Sequence, residues 1–518
     1  MLRNLRGQSR FLAGDRPDSF RLGTFDKYLA IVACLCLVTG AKLWLVEARG
    51  TATPIWDQWD GEAAYLFKPF LDGTLSPSQL IAHHNEHRIL FTRIVALALL
   101  WLNYYWDPLL EMVINGLIHC LAIGVLLGFV SRALDRRRFG LFCFVSALLF
   151  AVPFGWSNTL FGFQVQFYFL ILFSTLCIWL LSRSAAWRTG WWLGIACGIA
   201  SHFSMASGVV ALAAGAGVAL AQVLLRQRRG ARELLALGVQ TAILVVLALD
   251  ISVIHTDLKA HSVGQFFHAF FSAMGWPLSF QPFVASVIVY APTALIAVQT
   301  ARAPSKENCV WFALGMQVWT ILQIASVAYG RADYPLASKY LDVFIIGVVM
   351  NIFFILIPSP KNKLHPPSLC AVATSLWLML IFVAAGDQAM FRLPADIAEN
   401  YRQNTAQSEN LSKYLSTNDI SILANAPYLE IPYPSAHRLS EIVSMPEVRA
   451  ILPPSLIGGA ESNAGTATGL RRLLAASLRH FKTFCLTVGP LLIPIGLALF
   501  VILGLRLSLS SRHSNGGR

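Results

Sequence analysis

The chain has 518 residues, of which 56% are hydrophobic and only 13% are charged. Several apolar runs exceed the roughly 18 residues that predict a transmembrane helix, which excludes a water-soluble protein of three or four domains. The formal net charge is +13, but the basic residues form short blocks between apolar runs. They do not form a continuous stripe with interleaved aromatic residues, so nucleic acid is not expected as a partner.

We therefore predict an all-α polytopic membrane bundle with about 12 net crossings, because backbone polar groups in lipid must be paired inside each helix. The predicted domains are a cytoplasmic tail (1–27), the bundle (28–386), a small α/β extracytoplasmic domain (387–482), a last span (483–505) and a second cytoplasmic tail (506–518). The positive blocks place both termini on the cytoplasmic side. The expected location is the bacterial cytoplasmic (inner) membrane.

The spans follow in chain order. The first is a retained anchor, and two longer regions, 89–131 and 266–301, each contain a short segment and one crossing. The other spans are predicted at about 28–46, 139–153, 164–182, 190–204, 207–225, 234–254, 309–328, 341–357, 368–386 and 483–505. In the extracytoplasmic domain the pattern predicts an amphipathic helix near 395–415. It also predicts short strands at Ser421 to Ala424 and at Glu430 to Pro432.

The first outer loop, 48–88, contains the acidic motif W-D-Q-W-D-G-E. Asp57, Asp60 and Glu62 are candidate catalytic carboxylates, since a carboxylate beside the membrane can take a proton from a hydroxyl nucleophile. Two neighbouring acids are also compatible with a divalent cation, Mg²⁺ or Mn²⁺. The alternative is an interfacial loop in which the tryptophans form a membrane belt and the acids are solvated.

A second motif, H-H-N-E-H-R, follows where the chain re-enters the bilayer. Arg88 is a candidate phosphate ligand through charge-assisted hydrogen bonds, and His83, His84, Glu86 and His87 are candidate substrate contacts. The letters also match the H-x-x-E-H zinc-protease pattern, although no further acidic ligand is evident. A hydrogen-bonded helix start is the structural alternative, and no metal ligand set is predicted.

Two later outer turns add candidates. Arg331 and Lys339 are positive residues where positive charge is disfavoured, so they predict an anionic partner such as a lipid phosphate; snorkelling to ordinary headgroups is the alternative. Gln164 and Gln166 could bond sugar hydroxyls or neighbouring helices. The expected short outer loops carry few other basic residues: Arg49, Lys68, Arg93 and Lys259.

Polar residues inside the predicted spans suggest a different function. Lys42, Glu111, His119 and Asp250 could line a transport path, because polar groups in spans usually face the bundle interior. Glu111, Asn115 and His119 recur every fourth residue on one helical stripe. Hydrogen bonding between helices is the simpler explanation, and the paired repeats typical of transporters are absent from the sequence.

The acidic motif directly after the first span, the multi-helix bundle and the late outer segment resemble the membrane-embedded glycosyltransferases of the GT-C fold class. More narrowly, W-D-Q-W-D, H-N-E-H-R, G-F-Q-V-Q and G-R-A-D…S-K-Y are similar to a group of uncharacterised bacterial polytopic membrane proteins of surface-polysaccharide type. The resemblance implies membrane-parallel helices in the loop, here at Glu62 to Leu71 and Ser76 to His83. It also implies a sugar donor carried on a polyprenyl phosphate.

By that resemblance, Asp57 or Asp60 is the base, and Arg88, Arg331 and Lys339 bind the donor phosphate. The expected function is an inverting glycosyltransferase that moves a sugar to a glycan or lipid acceptor on the outer face of the membrane. A cation is compatible with this reaction but not required. The alternatives are a flippase or transporter of a lipid-linked or anionic solute and, as a minor one, a membrane zinc metalloprotease.

Overall fold

The computed structural model describes residues 17–252, 254, 256–304, 307–357, 367–457 and 469–515. The first helix already begins at Pro17, so the described part of the expected tail 1–27 belongs to that helix. The rest of that tail, and the end of the second one, lie outside the described residues.

Helices dominate the first part of the described chain. In chain order they are α1 (Pro17–Arg49), α2 (Lys68–Leu71), α3 (Pro77–Ile81), α4 (Leu90–Asn103), α5 (Pro108–Val130), α6 (Arg136–Ala151), α7 (Trp156–Thr159), α8 (Val165–Arg183), α9 (Thr189–His202), α10 (Val210–Leu224), α11 (Ala231–Leu249), α12 (Val263–Gly275), α13 (Pro282–Arg302), α14 (Asn308–Gly330), α15 (Ser338–Leu356) and α16 (Pro367–Asp387). A π-helix, Gln58–Phe67, precedes α2, and two strands, β1 (His83–His84) and β2 (His87–Arg88), form a hairpin before α4.

Ten helical stretches among the described residues are at least 18 residues long and apolar enough to cross a membrane. The chain is therefore a multi-pass membrane protein. Two of the twelve expected spans correspond to shorter helices, α6 with 16 residues and α9 with 14. In both regions expected to combine a short segment with one crossing, a short helix precedes a long one: α4 before α5, and α12 before α13.

The first and last described helices pack against each other inside the bundle. After α17 (Leu393–Thr417), α18 (Ser421–Ala424), α19 (Ala436–Ser444) and α20 (Pro446–Ile451) come α21 (Gly469–Val488) and α22 (Leu492–Asn515), and α22 packs along α1. A Cβ at Gly40 would lie 2.7 Å from the backbone N of Ile493, and one at Gly496 would lie 2.7 Å from that of Leu37. Small residues let two membrane helices approach this closely.

Residues 388–457, which we name the cap, continue from α16 without a loop. The helices of the cap are α17 (Leu393–Thr417), α18 (Ser421–Ala424), α19 (Ala436–Ser444) and α20 (Pro446–Ile451). The amphipathic helix expected near 395–415 is present as α17. The two expected strands are wrong, because Ser421 to Ala424 forms α18 and Tyr428–Glu430 forms a 3-10 turn.

Local chemistry explains why the cap is helical rather than α/β. The Asp419 carboxylate accepts a hydrogen bond from the Ser421 backbone N–H, at 2.9 Å, which favours a helical start. Pro427, Pro432 and Pro434 remove backbone donors that a strand ladder would need. The described residues of the predicted α/β domain are thus helices and turns.

The cap shares a hydrophobic core with the first loop. Trp59, Leu66 and Trp106 are almost fully buried against residues of the cap that include Leu411 and Leu439. Burial of apolar surface is the main force that joins such elements. The cap is therefore fixed to the loop that contains the acidic motif.

Candidate functional site

The β1–β2 hairpin separates the histidine-rich motif into two faces. The strands are antiparallel, with His84 opposite His87 and His83 opposite Arg88. Asn85, in the connecting turn, has φ of 52°, a conformation that asparagine tolerates better than most residues. Cross-strand partners share a face, whereas successive residues point to opposite faces. His84 and His87 consequently lie on one side, and His83 and Arg88 on the other.

The face with His84 and His87 borders a cavity of about 360 Å³. The cavity lies between the loop 50–88, the beginnings of α8, α10 and α15, and the end of α14. Eight of the twelve site residues that the sequence predicted line it: Asp57, His84, Glu86, His87, Gln164, Gln166, Arg331 and Lys339. An apolar part of the wall consists of Phe167, Leu170, Val209, Val210, Val343 and Phe344.

Asp57 is the carboxylate of the acidic motif that reaches this cavity. It follows Trp56 at the start of the π-helix, its side chain is 50% exposed, and its Oδ2 lies 3.8 Å from His84 Nε2. Burial opposes ionisation, but the contact with His84 outweighs it, with Lys339 contributing, and holds the pKa of Asp57 below its ordinary value. Asp57 is therefore ionised at neutral pH and can accept a proton.

Positive charge reaches the cavity from two other elements. Arg331, directly after α14, forms an ion pair with Glu86 at 3.3 Å. The ammonium group of Lys339, at the start of α15, lies 5.4 Å from the ring centre of Tyr340. No carboxylate of the described residues lies within 4.0 Å of that ammonium group. Lys339 is consequently able to bind an anion inside the cavity.

His87 is a neutral member of the cavity wall. Its Nδ1 accepts a hydrogen bond from the Ala206 backbone N–H, at 3.4 Å. Withdrawal from water lowers the pKa of His87; Glu86 opposes this effect and Arg331 adds to it. A neutral imidazole can both donate and accept hydrogen bonds, which suits contact with hydroxyl groups.

Gln164 and Gln166 form an amide pair on the opposite wall. Gln166 Nε2 donates to Gln164 Oε1 at 3.2 Å. Gln166 is 6% exposed, and its Oε1 has no hydrogen-bond partner among the described residues. A buried amide oxygen without a partner is costly, so this acceptor is suited to a hydrogen-bond donor on a ligand.

Arg88 and His83, which the sequence predicted as site residues, do not line the cavity. The Arg88 guanidinium binds Asp250 in a bidentate ion pair, with Nε–Oδ2 and Nη2–Oδ1 distances of 2.6 Å, and also donates to the Ile81 carbonyl. His83 Nδ1 lies 2.7 Å from Ser252 Oγ and its Nε2 lies 3.7 Å from Asp250. Since Asp250 engages Nε and Nη2 and the Ile81 carbonyl engages Nη1, Arg88 is not available to a donor phosphate.

Asp60 is directed towards the cap. Its carboxylate accepts hydrogen bonds from Arg438 Nη2 at 2.8 Å, from Arg438 Nε at 3.0 Å and from the Tyr433 hydroxyl. Asp57 and Asp60 are three residues apart, yet they point to different partners. Asp60, one of the two carboxylates predicted as the base, therefore does not line the cavity that Asp57 reaches.

Glu62 is buried rather than presented to a substrate. It is 2% exposed and accepts hydrogen bonds from Gln58 Nε2 at 3.1 Å and Trp106 Nε1 at 3.2 Å. Burial raises the pKa of Glu62 above its ordinary value, although the two hydrogen bonds oppose this effect. Glu62 consequently supports the loop and is not a candidate base.

The polar residues inside the spans do not form one continuous path. Lys42 Nζ donates to Thr159 Oγ1 at 3.2 Å within the bundle, and His119 stacks on Tyr168 with ring centres 4.2 Å apart. Asp250 instead caps the end of α11 beside Arg88. None of the four predicted path residues, Lys42, Glu111, His119 and Asp250, lines the cavity.

Glu111 and Asn115, on the polar stripe of α5, form hydrogen bonds with residues of neighbouring loops and turns. Gln58 Nε2 donates to Glu111 Oε2 at 2.8 Å, and Asn115 Nδ2 donates to the Gly162 carbonyl at 2.8 Å. A Cβ at Gly162 would lie 2.2 Å from Glu111 Oε2, so glycine is needed for this approach. Glu111 and Asn115 therefore hold the loop and the G-F-Q-V-Q turn against α5.

The geometry gives no support to the zinc-protease pattern. His83 faces Asp250, Glu86 pairs with Arg331, and His87 accepts from Ala206. Across the described part of the chain, no group of three or more histidine, cysteine, aspartate or glutamate residues is arranged to hold a metal ion.

Sequence reasoning missed Lys259, which lines the cavity from the segment between α11 and α12. Its ammonium group lies 5.6 Å from the ring centre of Tyr329. The signal was available, because Lys259 is another positive residue in an expected short outer loop. The apolar wall was not predictable, because its residues come from spans that look alike in sequence.

No protein-family model matches the chain, and no curated protein matches it.

Proposed function

We propose that the protein is a membrane glycosyltransferase that moves a sugar from a polyprenyl-phosphate donor to a hydroxyl group of a glycan or lipid acceptor. One observation carries the proposal: an ionised carboxylate, Asp57, and two cations, Arg331 and Lys339, line one cavity that also has an apolar wall. The resemblance to the GT-C class supports the same function. The proposed site faces the outer side of a bacterial cytoplasmic membrane.

The donor combines three chemical parts that the cavity could accommodate. An isoprenoid chain would lie against the apolar wall, for which Phe167, Val343 and Phe344 supply surface. The phosphate would lie near Lys339, Arg331 and Lys259, and sugar hydroxyls would bond Gln166 and His87. Small-molecule sites commonly combine a mostly apolar lining with a few placed polar groups.

The proposed reaction is a single displacement. The acceptor hydroxyl attacks the anomeric carbon, Asp57 takes the hydroxyl proton, and the bond from the anomeric carbon to the phosphate oxygen breaks. The bonding electrons leave with the polyprenyl phosphate, whose charge increases, and the configuration at the anomeric carbon inverts. Lys339 and Arg331 stabilise that increasing charge, which is the interaction that lowers the barrier.

The test is transfer of labelled sugar from a synthetic polyprenyl-phosphate donor in proteoliposomes. Asp57→Asn should lower the transfer rate about 10²- to 10⁴-fold, the usual contribution of a general base. Asp72→Asn is the matched control, because Asp72 belongs to the same loop but pairs with Lys68 and does not line the cavity.

The same preparation distinguishes the enzyme from a transporter. Movement of a fluorescent lipid-linked sugar across the proteoliposome membrane is measured in parallel with transfer. Transfer that Asp57→Asn abolishes, without lipid movement, supports the proposal. Lipid movement without transfer by the wild type, or full transfer by Asp57→Asn, contradicts it.

A further inference from the structure

The turn that presents Asp57 has an unfavourable backbone conformation. Trp56, directly before Asp57, has φ of 50°, in the left-handed region that residues other than glycine rarely adopt. A bulky aromatic residue persists there only when the surroundings hold it. The contacts of Trp56 therefore show which residues fix the position of Asp57, the proposed base.

Those contacts come from the cap. The Trp56 backbone N–H donates to the Pro432 carbonyl at 2.7 Å. Its ring packs edge-to-face against Tyr428, with centres 5.6 Å apart and planes at 69°. A backbone hydrogen bond and an aromatic contact together restrain both the position and the rotation of the turn.

A second set of cap contacts lies on the other side of Asp57. Asp60 accepts two hydrogen bonds from Arg438 and one from the Tyr433 hydroxyl. Both bonds from Arg438 end on Oδ1 and the tyrosine bond ends on Oδ2, so both oxygens of the carboxylate are held by the cap. Residues 56 and 60 are thus held by residues 428–438, while Asp57, between them, faces the cavity.

We infer that residues 428–438 of the cap form a clamp that positions Asp57 for proton transfer. Trp56, Asp60, Tyr433 and Arg438 are positioning residues, since none of them lines the cavity. This inference rests on the proposed function and adds a role for the cap to it. A displacement of a reacting group by about 1 Å can slow a reaction about 100-fold, so loosening the clamp should affect turnover more than donor binding.

The experiment uses the full chain in detergent and in proteoliposomes, with Arg438→Gln, Arg438→Lys and Tyr433→Phe. Glu441→Gln is the matched control: Glu441 is exposed and contacts the same arginine, at 3.1 Å on Nη1, without touching Asp60. Hydrogen exchange of a peptide covering 51–62 reports on the turn without any need for activity. Steady-state transfer then separates kcat from the KM for the donor.

We expect Arg438→Gln to speed exchange in that peptide. It should also lower kcat about 10- to 100-fold and leave the donor KM within about threefold. Arg438→Lys should recover part of kcat, and Glu441→Gln should match the wild type. A loss explained entirely by a lower folded fraction, with normal kcat per folded molecule, would overturn the clamp.

The two possible failures are distinguishable. If the wild type transfers no sugar, the proposed function fails, and exchange alone decides the clamp: faster exchange in Arg438→Gln supports it, and unchanged exchange overturns it. If the wild type is active, unchanged exchange or an unchanged kcat in Arg438→Gln overturns the clamp and leaves the proposed function standing.

Discussion

On one face of the β1–β2 hairpin, His84 and His87 border the cavity; on the other, His83 and Arg88 surround Asp250. The two faces belong to one six-residue motif and have similar composition. Strand alternation alone assigns them to different surroundings. The comparison teaches that one charged motif can contribute a binding surface and a structural anchor at the same time.

The two faces should respond differently to substitution. Variants around the cavity should lower transfer and leave thermal stability almost unchanged. Variants around Asp250 should lower stability and leave the transfer rate per folded molecule almost unchanged. The following predictions test this contrast, beginning with the largest expected effect.

Lys339→Gln removes a cavity cation that forms no ion pair with a carboxylate of the described residues. We expect the transfer rate to fall about 10²- to 10³-fold, as for loss of a group that stabilises transition-state charge. The thermal midpoint in detergent should stay the same. Lys68→Gln, which removes a lysine of an exposed ion pair, is the control and should retain full activity.

Asp250→Asn breaks the bidentate pair on the opposite face. The hydrogen bonds from Arg88 hold the pKa of Asp250 below its ordinary value, so the native carboxylate is charged. We expect a loss of about 1–3 kcal/mol, because a partly buried arginine would lose its partner. A thermal-shift measurement checks this. An Asp250→Asn protein that is fully stable but inactive would place Asp250 in the reaction instead.

The cavity face should also show a pH dependence. Because the folded-state pKa of His87 is lowered, the unfolded chain binds more protons as the pH falls below the ordinary histidine value of about 6.5. Stability contributed by neutral His87 is therefore present above that pH and is lost below it. Thermal midpoints from pH 8 to pH 5 should fall less steeply in His87→Gln than in the wild type. His437→Gln, at an exposed histidine of the cap, is the matched control.

Gly61→Ala should have the smallest effect. A Cβ at Gly61 would lie 3.0 Å from Phe163 Cε2 and 3.1 Å from His84 Cε1, so the His84 ring must shift slightly. We expect a stability loss of at most about 1 kcal/mol, since such overpacking is mild. The transfer rate should fall a few-fold because His84 faces Asp57. The control is Gly128→Ala: a Cβ at Gly128 would meet no neighbouring atom within 4 Å, so this variant should behave as the wild type. Gly73→Ala is not a suitable control, because Gly73 has a φ of 71° that strains other residues.

The sequence predicted much of the fold because membrane spans depend on local composition. Runs of apolar residues predicted α8, α14 and α15 near their observed bounds, and the hydrophobic period of 395–415 predicted α17. The prediction of a strand at Ser421 to Ala424 failed, because β-propensity in a four-residue segment is a weaker influence than local capping and the effect of the surrounding proline residues.

The candidate site was predicted in part for a similar reason. Asp57, Arg331 and Lys339 are charged residues in an apolar chain, so composition alone made them conspicuous. The direction in which each side chain points could not be predicted from composition. Asp60, three residues after Asp57, turns to Arg438, which lies 378 residues further along the chain, and no local pattern contains that information.

By itself, the sequence determined that the chain is a helical membrane protein and that its polar chemistry is concentrated in the loop after the first span. These properties follow from the cost of placing polar groups in hydrocarbon, which each segment meets alone. Tertiary structure decided that Asp57 faces Lys339 while Asp60 faces Arg438, and that His84 and Arg88 lie on opposite sides of one hairpin. Such pairings depend on contacts between distant residues, whose geometry exists only after the helices, the loop and the cap have packed together.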